Sequence, residues 1–540
     1  MKTILFAILI FICQFKLQGQ TEDAWIYFTD KPDAATYYAN PLLMLSQRSL
    51  DRRDQQNIDL DIKDIPLHQP YVTQIRNAQG ITIIAQSKWL NCVHVQGNQS
   101  DIEALDLLSF VTDIEFANTA LNATTKLSEP KQSTKQADKL AVVTDFEYGS
   151  ATNQIQMLHG DFLHENNFTG AGMQIAVIDA GFTNVNTMSS FARIRNNNQI
   201  LGTYNFIERQ TDVYFRHYHG TMVLSTIAGY VANQYVGTAP DASFYLFISE
   251  DGNQEHPYEE SLWVEAAEKA DSLGVDVLTT SLGYTQFDRA DYSHTYEDLD
   301  GQTTFITRGS EIAFSRGMLV VNSAGNEGSS TWHYIGAPAD APSILSIGAV
   351  DASGNIASFS SWGPTIDDRV KPDVCAQGQG SAVINTSNNI TSGSGTSFSG
   401  PILAGVATCF WQAFPDKTNS EIAQAIRESA HLYTTPDDHY GYGIPNFETA
   451  FNTMSLSYST SEDFVIYPNP LNSQQALTLQ IPQLQPETSL KISNVNGQVL
   501  GEYEVNHTPF AVDLHNLSQG IYWVSILSDE NVYTQKLIVH

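Results

Sequence analysis

The chain has 540 residues, more than one ordinary domain needs, and this length predicts about three folded units. Hydrophobic residues make up 42% and aromatic residues 11% of the sequence, which is ample for packed cores and excludes an intrinsically disordered chain. Acidic residues outnumber basic ones by 59 to 27, and the resulting net charge of −32 repels phosphate backbones, so we expect no nucleic-acid partner.

The first segment, residues 1–19, has the pattern of a signal peptide. After a positive start, the apolar run Ile4–Cys13 is too short to span a bilayer, and Gly19 offers a small residue for cleavage. Lipidation at Cys13 is the alternative, but Ile10–Ile12 lacks the small residues expected before a lipidated cysteine. No later segment is apolar for long enough to predict a membrane helix, so we expect a secreted or cell-surface protein.

Three cysteines follow this segment, at positions 92, 375 and 409, without the spacing of metal ligands. Cys375 lies in a strand-like stretch and Cys409 in a helix-like one, and we interpret both as buried small hydrophobic residues. The number is odd, and one disulfide remains open as an alternative.

The rest of the chain divides into regions that differ in composition and in hydrophobic pattern. In residues 20–117, short apolar strands alternate with a helical stretch near 101–108, which predicts a small α+β domain. The predicted strands of this domain are Ala24–Phe28, Ile81–Ala85 and Leu90–Val95. Residues 118–152 are largely polar and contain several lysines, as in an exposed linker.

Residues 153–454 alternate helical stretches with strands that are apolar on both faces, which indicates an α/β domain with a parallel sheet covered on both sides. Its predicted strands are Met173–Ile178, Ser243–Ile248, Val275–Ser281, Met318–Ser323 and Ile344–Val350. In such sheets, ligands bind beyond the carboxyl ends of the strands. A short polar linker precedes the last region. Residues 464–540 contain several short strands separated by turns, and this pattern predicts a small β-sandwich.

Two short motifs lie at predicted strand ends and helix starts. Asp179 directly follows an apolar strand, where a carboxylate shielded from water could orient an imidazole, although an Asp before Gly is by itself usually a turn residue. His219 opens the apolar stretch after it, and a lone His before Gly is more often a cap or a surface residue. Catalysis requires the ring to reach both a carboxylate and a nucleophile.

Two further motifs complete the set. Ser397 precedes the helical pattern Ile402–Phe414, so it would lie at a helix N-terminus that stabilises negative charge; by itself it could be a simple N-cap. Asn326 lies in a glycine-bounded loop after an apolar strand. Such an Asn is usually a turn former, but its side-chain amide can also donate to an oxyanion.

The four motifs in the order Asp, His, Asn, Ser resemble the subtilisin family (subtilases), whose triad has this chain order. The resemblance covers about residues 153–454. It extends to three further landmarks of the sequence, Ser281-Leu282-Gly283, Lys371-Pro372-Asp373-Val374 and Gly441-Tyr442-Gly443.

The resemblance implies a serine endopeptidase that acts on protein or peptide substrates and needs no cofactor for its chemistry. Ser397 would be the nucleophile, His219 the general base and acid, and Asp179 the group that orients the imidazole. Asn326 and the backbone N–H of Ser397 would hold the oxyanion. Two segments would flank the extended substrate as an added strand: Ser281, Leu282 and Gly283, and Ser323, Ala324 and Gly325.

The chain departs from the family pattern at two places. Ala180 replaces the Thr or Ser that usually follows the catalytic Asp, which removes a hydroxyl near the carboxylate. After Ser397, Phe398-Ser399 replaces the frequent Met-Ala, which changes packing more than chemistry. Neither change affects the implied reaction.

The flanking regions carry resemblances of their own. Residues 20–117 are similar in placement and size to subtilase propeptides, which implies that this domain assists folding, covers the cleft and is cut off in the linker 118–152; a permanent accessory domain is the alternative. Residues 464–540 resemble the C-terminal sorting domains of the type IX secretion system, which implies the outer-membrane secretion machinery as a partner. A carbohydrate-binding or adhesion sandwich is the competing interpretation of this tail.

The sequence permits several other hypotheses. An acidic loop is a candidate for structural calcium, although its spacing fits no defined calcium loop, a solvated acidic loop is the alternative, and we assign no metal ligands. That loop contains Asp288, Asp291, Glu297, Asp298 and Asp300. A serine esterase would show a Gly-x-Ser-x-Gly motif, which is absent around Ser397. A catalytically impaired surface adhesin on the same scaffold would have lost a triad residue, and none is lost.

Overall fold

The computed structural model describes residues 20–122, 146–459 and, with gaps at 473–475, 482–483, 485–487, 495–497, 515 and 529–530, residues 464–539. The predicted signal peptide and most of the predicted linker 118–152 lie outside the described residues. The chain forms two compact units, Met1–Glu448 and Thr449–His540. Each is described by itself.

The N-terminal part of the first unit is an α+β domain, as predicted. Its elements are β1 (Thr21–Phe28), α1 (Ala34–Ala39), α2 (Gln47–Gln55), α3 (Gln69–Arg76), β2 (Thr82–Ser87), β3 (Cys92–Asn98), α4 (Gln99–Glu103) and β4 (Val111–Phe116). The strands form an antiparallel sheet in the order β2-β3-β1-β4. Alternate side chains of β1, including Ala24, Ile26 and Phe28, lie in an apolar core with Val72 and Ile75 of α3.

The rest of the first unit is the predicted α/β domain. Its elements are α5 (Thr152–Gln156), α6 (Gly160–Glu165), β5 (Gln174–Asp179), α7 (Ala192–Asn196), β6 (Ile200–Asn205), α8 (His219–Ala228), β7 (Tyr230–Val231), β8 (Tyr235–Val236), β9 (Ser243–Ile248), α9 (Pro257–Leu273), β10 (Val277–Thr280), α10 (Phe305–Ser315), β11 (Leu319–Ser323), β12 (Leu345–Val350), β13 (Val374–Gln377), β14 (Ser381–Ile384), β15 (Ile390–Gly393), α11 (Thr396–Ala413) and α12 (Asn419–Glu428). The helix α13 (Phe447–Ser459) begins in this unit and continues into the second.

Seven parallel strands form the central sheet of this domain, in the order β13-β12-β11-β10-β5-β9-β6. Every residue of β10, β11 and β12 is buried, which explains why these strands are apolar on both faces. Because β5, β10 and β11 are neighbours, their carboxyl ends meet at one edge of the sheet.

The α+β domain packs on helices α9 and α10 of the α/β domain. The indole nitrogen of Trp25 donates to Ser261 Oγ at 2.7 Å, and its ring stacks on Phe305 with centroids 4.8 Å apart. Arg53 donates to both carboxylate oxygens of Asp271 at 2.8 and 2.7 Å. The interface therefore combines apolar packing with buried ion pairs.

The second unit contains the predicted β-sandwich. Its strands are β16 (Val465–Tyr467), β17 (Ala476–Gln480), β18 (Ser489–Asn494), β19 (Val499–Glu504), β20 (Phe510–Asp513), β21 (Gly520–Ser528) and β22 (Asn531–Val539). They form two antiparallel sheets, β16-β17-β20 and β19-β18-β21-β22. Leu477 and Val512 of one sheet share an apolar core with Ile492 and Val524 of the other.

The three cysteines of the described residues, Cys92, Cys375 and Cys409, are buried and unbridged. None of the helices in the described part of the chain combines the length and hydropathy that crossing a bilayer requires. Cys375 lies in β13 and Cys409 in α11, as expected for small apolar residues of the core.

Candidate active site

Asp179 and His219 form the first contact of the site. Asp179 is the last residue of β5 and is fully buried, and His219 is the first residue of α8. The imidazole Nδ1 lies 2.9 Å from Oδ1 and 3.0 Å from Oδ2 of Asp179. The strand and the helix can approach this closely because Gly220 has no side chain: a Cβ there would lie 2.5 Å from the carbonyl oxygen of Gly181. The carboxylate holds Nδ1 and leaves Nε2 for proton transfer.

The electrostatics of this pair favour a protonated imidazole. Burial works against the charged form of His219, but the charge and the hydrogen bond of Asp179 outweigh burial and raise the pKa of His219 above its ordinary value. The neighbouring His217 has its pKa lowered, first by burial and then by the charge of His219. Asp179 Oδ1 also accepts a hydrogen bond from the backbone N–H of Ala180 at 2.7 Å.

Ser397 lies at the same edge of the sheet, as the second residue of α11, and is 8% exposed. The chain enters this helix through Gly395, whose φ of 152° is a conformation that L side chains rarely adopt. The carbonyl of Ser397 accepts a hydrogen bond from Ser281 Oγ at 3.0 Å. The rings of His219 and Phe398, the residue after Ser397, lie 6.4 Å apart between centroids. Among the hydrogen bonds of the described residues, none joins His219 to Ser397.

Asn326 contacts the start of α11 directly. Its Oδ1 accepts hydrogen bonds from the backbone N–H of Thr396 at 2.8 Å and from the Thr396 hydroxyl at 3.1 Å. With the oxygen held on Thr396, the amide nitrogen is the side-chain group that remains to donate. The Asn326 amide is therefore oriented by the residue that precedes Ser397.

The predicted substrate-binding segments lie side by side but differ in their hydrogen bonding. Ser281 follows β10 and Ser323 ends β11, and these strands pair in parallel. In the second segment, the carbonyls of Ala324 and Gly325 accept hydrogen bonds from Gly336 and Ser361 of the protein itself. No hydrogen bond among the described residues uses the backbone of Gly283. In the first segment, the carbonyl of Leu282 accepts a hydrogen bond from the Asn322 side chain at 3.2 Å, so Gly283 is the residue whose backbone remains open to a further strand.

The sequence motifs missed two features of this region. The first is Thr396, which lies inside the serine motif and holds the Asn326 side chain. Its hydroxyl group is the only feature of the sequence that could have indicated this role. Glu250 and Glu255 lie between β9 and α9 and Glu259 lies in the first turn of α9, and one oxygen of each comes within 4.8 Å of the other two. Burial is the main cause that raises the pKa of Glu255 to about 7 and that of Glu259 to about 8. The spacing of these glutamates in the sequence does not predict that they meet, because the conformation of the loop brings them together.

Three family models match the chain. The family model "Subtilase family" matches residues 170–443, "Peptidase S8 propeptide domain, Bacteroidota" matches residues 23–137, and "Secretion system C-terminal sorting domain" matches residues 465–540. Subtilisin E of Bacillus subtilis (strain 168) is 31% identical over 301 residues, which cover 55% of this chain and 70% of that protein.

Subtilisin DY of Bacillus licheniformis is 28% identical over 300 residues, which cover 55% of this chain and 97% of that protein. The crystal structure of MycP1 with the N-terminal propeptide removed is similar with a TM-score of 0.44 and 22% identity, over 55% of this chain and 96% of that one.

The parallel sheet, with its Asp–His pair and a serine at a helix N-terminus, defines the class of α/β serine peptidases. Within that class, the chain belongs to the subtilase family. It is a secreted serine endopeptidase, made with a propeptide domain and a C-terminal sorting domain that marks it for secretion or the cell surface. The comparisons give no support to the alternative of an impaired adhesin.

Proposed function

We propose that Ser397, His219 and Asp179 are the catalytic triad of this endopeptidase and that Asn326 is a donor of its oxyanion hole. The observation that carries this proposal is the hydrogen-bonded pair of Asp179 and His219, which lies at the sheet edge where α11 begins with Ser397. Catalytic hydrogen bonds are often long in a free enzyme and tighten with substrate, so the Ser397–His219 bond is expected to form on binding.

The reaction follows from these positions. Ser397 Oγ attacks the scissile carbonyl while His219 Nε2 accepts its proton, and Asp179 stabilises the imidazolium. The negative oxygen of the tetrahedral intermediate accepts hydrogen bonds from the Asn326 amide and the Ser397 backbone N–H. His219 then protonates the leaving amine, and the C–N bond breaks to give an acyl-enzyme. Water activated by His219 hydrolyses the ester in the same way.

Replacement of the nucleophile tests the triad. We expect the full chain with Ser397→Ala to lose casein cleavage, while the control Ser399→Ala retains most of it. Ser399 is a suitable control because it lies two residues further along α11 and its hydroxyl bonds to the carbonyl of Thr396. Equal cleavage by wild type and Ser397→Ala would refute the assignment.

We propose further that the protein is processed at both ends. The proposed units are residues 1–19, removed as a signal; 20–117, the propeptide domain; 118–152, the linker that is cut; 153–454, the peptidase domain; and 464–540, the sorting domain. The polar composition of the linker and the match of residues 465–540 to secretion sorting domains support this division.

The proposed partner of the sorting domain is the secretion machinery of the outer membrane. A chain that ends at residue 454 is expected to keep its peptidase activity when purified, but to accumulate inside the cell instead of in the medium. Export of the truncated chain at the level of the full chain would refute the proposed role of residues 464–540.

A further inference from the structure

The helix α2 of the N-terminal α+β domain lies across the ends of two helices of the α/β domain, α9 and α10. The backbone N–H of Ser46, the residue before α2, donates to the carbonyl of Ser272 in the last turn of α9 at 2.8 Å. At the end of α10, the side-chain amide of Gln56 donates to the carbonyl of Gly317 at 2.8 Å. α2 therefore satisfies carbonyl groups at two helix C-termini that have no helical partner.

Two glycines allow this close packing. Gly274 follows α9 and Gly317 follows α10, with φ of 86° and 89°. A Cβ on Gly274 would lie 2.7 Å from the backbone nitrogen of Ser49 in α2, and a Cβ on Gly317 would lie 2.8 Å from the side chain of Gln56. Arg48 Nε donates to the carbonyl of Gly274 at 2.9 Å. The helix α2 thus approaches α9 and α10 at a distance that side chains at these two positions would prevent.

The arginines of α2 enter a buried acidic site on α9. Arg52 is 4% exposed, and its guanidinium donates to Asp271 at 2.6 Å and to the carbonyl of Val275. Arg53 pairs with the same carboxylate, and Lys88 lies 3.5 Å from it. Within the described ranges, every hydrogen bond and ion pair of the Asp271 side chain comes from the N-terminal domain. Buried arginine contacts are among those that dominate the affinity of protein interfaces.

A second carboxylate of α9 depends on the same domain. Glu268 is 7% exposed and accepts hydrogen bonds from the Ser87 hydroxyl at 2.7 Å and from the backbone N–H groups of Lys88 and Trp89 at 3.0 and 2.9 Å. These donors lie at the end of β2 and in the turn that leads to β3. Without the N-terminal domain, α9 would expose the side chains of Glu268 and Asp271, two like charges one turn apart that repel each other.

The α2 contact lies at the end of the sheet opposite to the active site. Gly274 and Gly317 precede the first residues of β10 and β11, whereas the proposed catalytic groups lie at the carboxyl ends of the strands. The length of β5, which ends at Asp179, is about 17 Å. As far as the chain is described, no hydrogen bond or ion pair joins residues 20–122 to the proposed triad or oxyanion donor. The domain can therefore stay bound at α2 while a peptide occupies the cleft.

We propose that the N-terminal domain, anchored by α2, remains bound to the peptidase domain after the linker is cut and leaves the cleft open, as a subunit of the active enzyme and not as its inhibitor. The cut removes the covalent link and its high effective concentration, so the contacts alone must hold the domain. The statement about activity rests on the proposed function of Ser397, whereas the statement about binding is independent of it.

The binding test uses the full chain with Ser397→Ala and with the recognition sequence of a site-specific protease inserted after Ser133 of the linker. The cut then does not depend on self-cleavage. After the cut, we expect the two pieces to elute together from a size-exclusion column in equal amounts. Dilution followed by native mass spectrometry measures the dissociation constant, which should be about 10⁻⁸ M or lower.

Two substitutions test the anchor. Arg52→Ala removes a side chain whose partners both lie in the α/β domain, and we expect at least about 30-fold weaker binding. Asp271→Asn removes the charge that faces it and should also weaken binding, with circular dichroism to check the fold of each variant. The control Arg76→Ala removes an exposed arginine at the end of α3, for which the described residues provide no hydrogen bond or ion pair, and should leave binding unchanged.

The same cut chain with Ser397 retained tests whether the cleft is open. With the domain bound, kcat/KM for a short fluorogenic peptide should be at least as high as in the Arg52→Ala enzyme after its domain has been separated. A higher kcat/KM after separation would overturn the proposal, because the domain would then be an inhibitor. Pieces that separate at micromolar concentration, or equal losses of binding in Arg76→Ala and Arg52→Ala, would also overturn it. Inactivity of both enzymes would instead refute the proposed triad, and the binding results with Ser397→Ala would still stand.

Discussion

Asn326 and Thr396 are joined by two hydrogen bonds to a single oxygen, one from the backbone N–H and one from the hydroxyl of Thr396. This contact links the loop after β11 to the first residue of α11, and so it fixes the amide of Asn326 relative to Ser397. In an oxyanion hole, a donor that is already in position need not reorganise during the reaction. Thr396 is therefore a positioning residue in the proposed mechanism.

Replacement of Asn326 by Ala should lower kcat by about 10²–10³-fold with little change in KM, the range measured for one oxyanion donor in subtilisin. Thr396→Val loses the hydrogen bond from the Thr396 hydroxyl to Asn326 and also the one that this hydroxyl accepts from the backbone N–H of Gly325 at 3.2 Å, and we expect kcat to fall by about 3- to 10-fold. If Thr396 acts mainly through Asn326, the valine substitution should cost much less in the Asn326→Ala background than in the wild type. Steady-state kinetics of the two single variants and the double variant measure this, and additive losses would contradict it.

The pH dependence of activity follows from the Asp179–His219 pair. The neutral imidazole is the active form, and its pKa is raised, so kcat/KM should fall as the pH drops through the pKa of His219, starting above the pH expected for an ordinary histidine. Asp179→Asn should shift this acid limb to lower pH, together with a large loss of kcat. The pH profile of kcat/KM measures both effects. An acid limb that stays in place in Asp179→Asn would show that another group controls it.

Some of the fold could be predicted from local patterns and some could not. β9 begins and ends where the sequence predicts, because Ser243–Ile248 is a short apolar run between polar residues. α2 was not predicted, because its buried face carries Arg52 and Arg53 in place of apolar residues. The partner that makes this burial favourable, Asp271, lies 218 positions further along the chain from Arg53.

The same distinction holds for the site. Asp179, His219, Asn326 and Ser397 stand in short motifs at strand ends and helix starts, so sequence alone could single them out. The contact of Asn326 with Thr396 and the meeting of the three glutamates depend on loop conformations that no periodicity encodes.

The buried ion pairs between the N-terminal α+β domain and the α/β domain should make a large contribution to the stability of the interface between these domains. Arg53 and Asp271 are 2% and 0% exposed, and Arg53 also pairs with the buried Asp64 at 2.8 Å. In the Ser397→Ala background, Arg53→Ala should lower the free energy of unfolding by about 3–5 kcal/mol. The reason is that the buried carboxylates lose a positively charged partner. The control Arg209→Ala breaks a more exposed pair with Glu265 and should cost less than about 1 kcal/mol. Urea denaturation measures both values, and equal losses would contradict the argument from burial.

The close approach of β5 and α8 makes Gly220 a sensitive position. In Gly220→Ala, the new methyl group would lie 2.5 Å from the Gly181 carbonyl oxygen and 2.9 Å from Cβ of Asp179, so α8 must move and carry His219 with it. A shift of about 1 Å at a reacting group can cost about 10²-fold in rate, and we expect a loss of kcat of that size in a protein that still melts cooperatively. The control Gly202→Ala in β6 meets only the ring of Tyr245, at 3.2 Å, and should keep its activity. Wild-type kcat in Gly220→Ala would mean that the Asp179–His219 distance does not limit the rate.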